Sequence, residues 1–267
     1  MLVSVCIPTY QGAAYLGQAI DSVLAQTLGD FELLVVDNHS TDGTAELVAR
    51  YSDPRIRFLR NERNLGAEAN WNRCLQEARG TYIKLLPHDD LLAPDCLRQQ
   101  VAALESDRAG RLALAFCART VMDGAGRALM VRGYGRGGDG PVPGALLRRQ
   151  CLRRGTNLLG EPGAVLFRRE LARQVGGFDG EIGYVIDLDY WFRLLQHGDA
   201  WYCAAPLASF RVTPGSWSAQ VGRSQGEAFR RFLRKVGARG IDLLAGSLMA
   251  RVNNLLRMAF YRFGVRA

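Results

Sequence analysis

The chain has 267 residues, 48% of them hydrophobic and 22% charged, with a formal net charge of +8. This is the composition of a globular chain able to bury a sizeable core as one large domain or two small ones, and it excludes a disordered or collagen-like polymer. The charge is uneven: after residue 220, ten Lys/Arg face only Glu227 and Asp242, whereas residues 1–220 hold 24 groups of each sign, so the basic character belongs to the tail.

The opening Met1-Leu2-Val3-Ser4-Val5-Cys6-Ile7-Pro8 has no basic leader or cleavage site, so no signal peptide is expected. No apolar run is long enough to span a bilayer. Six scattered cysteines form no C-x-x-C pair, which argues against a zinc or redox motif and fits free thiols in a reducing cytoplasm. The basic tail comes with no helix-turn-helix, zinc-finger or RNA-module signature, so no nucleic-acid partner is expected.

In chain order, Leu2–Ile7 reads as a strand, and Leu16, Ile20, Val23, Leu24 and Thr27 recur at helical spacing. Phe31–Val36 reads as a second strand, ended by the turn-rich Asp37-Asn38-His39-Ser40-Thr41-Asp42-Gly43. A helix from Thr44 to Tyr51, a strand from Ile56 to Leu59 and a helix from about Asn64-Leu65-Gly66 to Arg79 follow. Tyr82–Leu86 is a strand that delivers Pro87-His88-Asp89-Asp90 to a loop, before a helix from Pro94 to about Glu105 and a strand over Leu112–Phe116. Alternating helices and continuously apolar strands predict an α/β fold with a mostly parallel, Rossmann-like sheet covered on both faces. Three strands end in polar residues (Pro8-Thr9-Tyr10, Asp37-Asn38, His88-Asp89-Asp90), and right-handed crossovers bring such ends to one edge, where open sheets bind ligands. Taken alone, Asp89-Asp90 could complement a helix dipole or hold a divalent cation.

From Arg119 to Gly144 the pattern degrades. Gly133-Tyr134-Gly135-Arg136-Gly137-Gly138 matches G-x-G-x-x-G in form, but no strand-to-helix junction surrounds it, so a flexible loop over the cleft is expected instead of a dinucleotide site. Ala164–Phe167 reads as apolar, and Glu170–Val175 as a helix stopped by Gly176-Gly177. A further helix begins at Asp187-Leu188-Asp189-Tyr190-Trp191, with Trp191 as packing. Trp201–Ala204 and Leu207–Val212 read as two closing strands around Ala205-Pro206, with a polar loop running on through Ser218. Two tail helices follow, over about Gln225–Val236 and Ile241–Phe263. The second carries an apolar stripe with its arginines mostly elsewhere. Such a helix either seats on a membrane surface or partner, or packs on the domain and exposes a basic face.

These motifs together resemble the inverting glycosyltransferases of family 2, with GT-A fold, over about residues 2–215. Val5-Cys6-Ile7-Pro8-Thr9-Tyr10 is similar to the family's first strand and nucleotide loop, and Asp37 to Thr44 to its D-x-x-S-x-D-G-T segment. Asn64-Leu65-Gly66 with Asn70 resembles the N-x-G…N stretch. Pro87-His88-Asp89-Asp90 occupies the D-x-D position, and Gly176-Gly177-Phe178-Asp179 with Asp187-Leu188-Asp189-Tyr190-Trp191 resembles the acceptor-side block.

The resemblance implies a nucleotide-diphosphate sugar donor, a UDP-sugar by preference, bound by Pro8, Thr9, Tyr10, Asp37, Asn70, His88 and Asp89, with Thr9 and Asp37 on the base. It implies Mn²⁺ or Mg²⁺ held by Asp89 with Asp90. Asp187 is the implied general base, with Asp189 as runner-up; Glu161 and Asp189 are placed toward a glycan or lipid-linked acceptor. The implied domains are 1–220, with a nucleotide-sugar half (1–117) and an acceptor half (118–220), followed by a tail (221–267) that would hold the enzyme at the inner face of the cytoplasmic membrane during cell-surface polysaccharide synthesis. Pro87, Ile186 and Thr213 depart from the family pattern, standing where an Asp, a Glu and a His are common. Two other readings are a sugar-phosphate nucleotidyltransferase, disfavoured because Pro8-Thr9-Tyr10-Gln11-Gly12 has no Arg or Lys, and a non-catalytic binding module, disfavoured by the full set Asp37, Asp89, Asp90 and Asp187.

Overall fold

The computed structural model describes residues 1–135, 137–213 and 225–263, with side chains through 260. Strands β1 (Val3–Thr9), β2 (Phe31–Asp37) and β4 (Tyr82–Leu85) are buried at every position, as continuous apolar runs require when both sheet faces are covered. The sheet runs β3 (Ile56–Arg60), β2, β1, β4, β9 (Val165–Arg168), β6 (Leu112–Met122), β10 (Asp199–Arg211), β5 (Leu91–Leu92). β3, β2, β1, β4, β6 and β10 share one direction; β9 and the short β5 oppose them. The chain leaves β1 toward β2 and β3 and then returns to β4 on the other side. That reversal opens a crevice at the carboxyl ends of β1 and β4.

Alternation along β1 divides the core. Val3, Val5 and Ile7 point to the face covered by α1 (Leu16–Leu24) and α4 (Cys96–Glu105). Cys6 points to the face covered by α3 (Ala67–Glu77), α5 (Gly144–Arg154) and α7 (Ile186–Leu194). Helix α1 buries Leu16, Ala19, Ile20 and Val23, the expected helical stripe. The short helices are α2 (Thr44–Val48) and α6 (Arg169–Val175). Trp191 is fully buried among Phe167, Phe178 and Tyr190, in keeping with a packing role. All six cysteines are buried and free.

Three expectations change. The degraded stretch holds regular structure: β6 runs to Met122 and turns at Asp123–Arg127, where the Asp123 carboxylate accepts from the Ala125 and Arg127 N–H groups, into β7 (Ala128–Arg132). Strand β7 is an exposed edge, so no apolar alternation marks it; α5 buries little beyond Leu147 and Cys151, too narrow a stripe to read. The described residues of the glycine-rich segment do not line the cleft. Its Tyr134 packs on Phe116 and Tyr202 and donates its hydroxyl to Gln150 (2.6 Å), and the segment leads into β8 (Gly140–Val142); Arg136 lies outside the described residues. The two closing strands are one, β10, because the register shifts around Pro206, and a bulge tolerates the missing N–H of proline.

The tail does not stand apart. Helix α8 (Gln225–Lys235) buries Phe229, Phe232 and Leu233 in the same core as Phe192, and α9 (Gly240–Phe263) packs on α5 and α8, burying Ala250. The boundary expected at residue 220 and the loop through Ser218 lie outside the described residues.

Candidate active site

A cleft of about 780 Å³ opens at the carboxyl ends of β1 and β4, within the size range of ligand sites. Pro8, Thr9, Tyr10, Asn70, His88, Asp89 and Asp90 line it from one side, and Glu161 and Asp187 from the other. The loops after β1 and β2 are locked together: Gln11 N–H donates to Ser40 Oγ (2.9 Å), and Gln11 Oε1 accepts from Thr41 N–H (2.9 Å). Gln11 and His39, in these two loops, have φ of 51° and 68°, strained for non-glycine residues. Gly12 is required beside them, because a Cβ there would lie 2.2 Å from Thr9 Oγ1. The Thr9 hydroxyl is buried with no hydrogen-bond partner among the described residues, an orphan that a ligand in the cleft can satisfy.

Asp37 is fully buried just behind this wall. Its carboxylate accepts from Ser40 N–H and Oγ and pairs with Arg60 (3.3 Å), while its neighbour Asn38 faces the cleft. Sequence reasoning did not single out the amide web beneath: Asn61 donates to Asn38 (2.7 Å) and Asn70 (2.9 Å), and Asn70 donates to the Val36 carbonyl (3.1 Å). Asn70 therefore stands on the cleft wall with its amide holding strand ends together.

The two adjacent acids differ. Asp90 is 2% exposed and accepts from Arg211 N–H (2.9 Å); burial, and then the neighbouring Asp89 charge, push its carboxyl well above the usual range. The Asp89 carboxylate is partly exposed and has no protein partner among the described residues; only its backbone carbonyl is held, by Arg211 Nε (2.9 Å). Arg211, itself buried, stacks over Tyr15 (4.5 Å) and donates to Gln18 Oε1 (2.8 Å) and the Gly124 carbonyl (2.9 Å), which ties the end of β10 to this loop.

Across the cleft, Asp187 starts α7. It accepts from Leu188 N–H (2.7 Å) and Asn157 Nδ2 (2.9 Å). Burial raises its pKa to about 7 and the Glu161 charge adds to this, against the hydrogen bonds. Asn157, which carried no sequence signal, is fixed in turn by the Leu159 and Gly160 N–H groups. Glu161 caps a single 3-10 turn (Pro162–Ala164) and pairs with Arg119 (2.7 Å); burial opposes its charge, but Arg119 prevails and holds the carboxyl below its ordinary value. Asp189 is not brought to the cleft. About half a turn further, on the buried side of α7, its carboxylate is paired with Arg193 (3.0 Å) and with Lys235 of α8 (3.0 Å).

Helices α8 and α9 complete the wall with Gln225, Phe229, Asn253, Asn254 and Arg257. Arg257 donates to Gln225 Oε1 (2.8 Å) and Thr156 Oγ1 (2.9 Å). None of these was expected in the site, because nothing in a basic amphipathic pattern says which of its polar residues turn inward. Among the described residues no three His, Cys, Asp or Glu side chains converge to cage a metal. The free Asp89 carboxylate still suits a hard cation that draws its other ligands from phosphates and water.

The family model described as glycosyl transferase family 2 matches residues 4–176. An uncharacterized protein of Mycobacterium tuberculosis, MT1568, is 33% identical over 233 residues, covering 82% of this chain and 70% of the relative. The Escherichia coli UDP-Glc:alpha-D-GlcNAc-diphosphoundecaprenol beta-1,3-glucosyltransferase WfgD is 38% identical over 103 residues, 39% of this chain and 41% of that protein. Among solved structures, Staphylococcus aureus TarS 1–349 in complex with UDP-GlcNAc superposes with a TM-score of 0.70 at 18% identity, covering 98% of this chain and 73% of TarS. The mannosyltransferase PcManGT from Pyrobaculum calidifontis, in complex with GDP-Man and Mn²⁺, gives 0.68 at 19% identity, covering 97% and 72%. The chain thus spans well under the full length of several relatives. A doubly wound sheet with its cleft at the β1/β4 switch, a family match over most of that sheet and GT-A neighbours across nearly the whole chain lead to one conclusion: the chain belongs to glycosyl transferase family 2, the glycosyltransferases of GT-A fold.

Proposed function

We propose that the chain transfers a sugar from a nucleotide-diphosphate sugar to an acceptor hydroxyl, with inversion and with the help of Mn²⁺ or Mg²⁺. The observation that carries this reading is Asp187: a carboxyl held by Asn157 in the cleft, its pKa raised to about 7, across from the partner-free carboxylate of Asp89. A general base works best with a pKa near the operating pH. Asp187 takes the proton of the acceptor hydroxyl as that oxygen attacks the anomeric carbon; the bond to the diphosphate breaks on the opposite side, and the nucleoside diphosphate leaves with the electron pair. Asp89 and Asp90 would hold the cation, whose Lewis acidity offsets the charge developing on the diphosphate. Thr9, with its unpartnered hydroxyl, and Asp37 would address the base, Pro8, Tyr10, Asn70 and His88 the rest of the donor. Glu161, oriented by Arg119, would meet the acceptor.

A UDP-sugar is the preferred donor, supported by the names of WfgD and the TarS complex. The WfgD name also supports a lipid-linked acceptor. With such an acceptor the chain would work in cell-surface polysaccharide synthesis at the inner face of the cytoplasmic membrane. The test is a thermal-shift panel of UDP-, GDP- and dTDP-sugars with and without Mn²⁺, followed by NMR of the anomeric configuration of the product. A metal-dependent rise with UDP-sugars is expected. A folded protein that no nucleotide sugar stabilises, or a product with retained configuration, would overturn the reading.

A further inference from the structure

Helix α9 is used on two faces. Gly246 fits against the Leu152 carbonyl and Leu233, Ala250 is 4% exposed against Gly155, Asn253 donates to the Arg154 carbonyl (2.7 Å), and Arg257 turns into the cleft. Small and polar residues, with Leu243, thus face the protein. On the outward face Ile241, Leu244, Leu248, Leu255 and Leu256 are 62–73% exposed. At 3.6 residues per turn they fall within an arc of about 120°. A surface helix of a globular protein is normally the reverse, apolar inward and polar outward, and a contiguous exposed apolar stripe marks an interaction surface.

The charges around the stripe say what covers it. Arg251 borders it on α9, Arg239 immediately precedes the helix, and Arg154 ends α5, on which α9 packs; all three are exposed and without an acidic partner among the described residues. The acidic residues of the two tail helices are already paired, Glu227 with Arg231 and Asp242 with Arg149 and Arg153. A second copy of this chain seated on the stripe would bring these unpaired arginines together, whereas an anionic bilayer would complement them. No described helix is long and apolar enough to cross a membrane, so the matching geometry is a helix lying in the interface with its leucines in the acyl boundary.

We propose that α9 seats the protein on an anionic lipid surface and that, because its opposite face supplies Asn253, Asn254 and Arg257 to the cleft wall, the same helix holds the acceptor mouth at headgroup level. Docking stands apart from the proposed chemistry; only the use of that mouth for a membrane-borne acceptor rests on the function proposed above.

The test is co-sedimentation of the full chain with phosphatidylglycerol-containing and with pure phosphatidylcholine vesicles at low and high salt, alongside donor hydrolysis in solution. The wild type is expected to bind the anionic vesicles and to release as salt rises. The triple variant Leu244→Ser/Leu248→Ser/Leu255→Ser should bind them at least about tenfold more weakly, since binding scales with the apolar area buried. Arg239→Gln/Arg251→Gln should lose binding to anionic vesicles alone. Both variants should keep the melting temperature and donor hydrolysis of the wild type, as these side chains touch neither core nor cleft. A wild type that binds neither vesicle overturns the proposal. So does a wild-type dimer by light scattering that the triple variant makes monomeric with no change in vesicle binding.

Discussion

The two walls of the cleft are built on different principles. One is a row of strand ends: Thr9 at the end of β1, Asn38 just after β2 and Asp89-Asp90 after β4 lie side by side because β2, β1 and β4 are parallel neighbours. The other is assembled from pieces with no common lattice: Asn157 after α5, Glu161 before a 3-10 turn, Asp187 at the start of α7 and Arg257 on α9. The first wall takes its geometry from the backbone ladder, so it is rigid and repeats among folds of this kind. The second takes its geometry from side-chain packing, so each member depends on partners far away in sequence. The difference teaches where chemistry and where specificity can vary: a wall made of packed helices and turns can be rebuilt without disturbing the sheet.

The comparison can be broken or sharpened by substitution. Asp187→Asn should have the largest effect, lowering turnover about 10²–10⁴-fold, as expected for loss of a general base, while donor affinity measured by calorimetry stays unchanged. In the wild type, turnover should rise with pH and level off above about 7, since Asp187 must be ionised to accept a proton and burial holds its pKa there. A flat profile between pH 5.5 and pH 8 would remove Asp187 from the role. (Among ordinary side chains only histidine has its unperturbed pKa in this range, about pH 5–8.)

Asp89→Asn should come next, with turnover down about 10²-fold and with the Mn²⁺-dependent part of donor stabilisation lost in a thermal-shift assay. The same change at a residue of the opposite wall should leave that stabilisation intact, which is the sharpest way to separate the two walls. Asn157→Ala should cost about tenfold in turnover, through loss of orientation. It should also move the acid limb of the profile upward, because the lost hydrogen bond favours the ionised form of Asp187. A purely structural role for Asn157 would lower stability and leave the limb in place.

Lys235→Met should have the smallest effect. It removes one partner from Asp189 and from Asp179, but Asp189 keeps Arg193, and the lysine is 37% exposed and so screened. A loss of about 1–2 kcal/mol is expected, seen as a melting temperature a few degrees lower, with turnover per folded molecule unchanged. Loss of turnover instead would return Asp189 to the candidate site.

Much of this was legible in the chain itself. Fully buried parallel strands announce themselves as unbroken apolar runs, and the polar residues that end them must lie together once crossovers are right-handed. The α/β sheet, the placement of Thr9, Asp89 and Asp90 on one edge, and the packing role of Trp191 all follow from such local signals. Other features have no local signature. The edge strand β7 is exposed on both sides, α5 has too narrow a buried stripe, and Pro206 marks a bulge that looks in sequence like a break.

Tertiary structure alone decided the charges and the facing of the tail. Asp187 and Asp189 are two residues apart on one helix and chemically identical in sequence. The helical turn sends one to the cleft, where burial without a cation lifts its pKa, and the other onto Arg193 and Lys235. Likewise α9 was expected either to seat on a membrane surface or partner or to pack on the domain, and it packs with small and polar residues and Leu243 while its other leucines stay outside. Periodicity determines that a helix has two faces; which face meets the protein depends on the shape and charge of what it meets, here the Leu152 carbonyl, the Arg154 carbonyl and the cleft, and that is information the sequence of the helix does not contain.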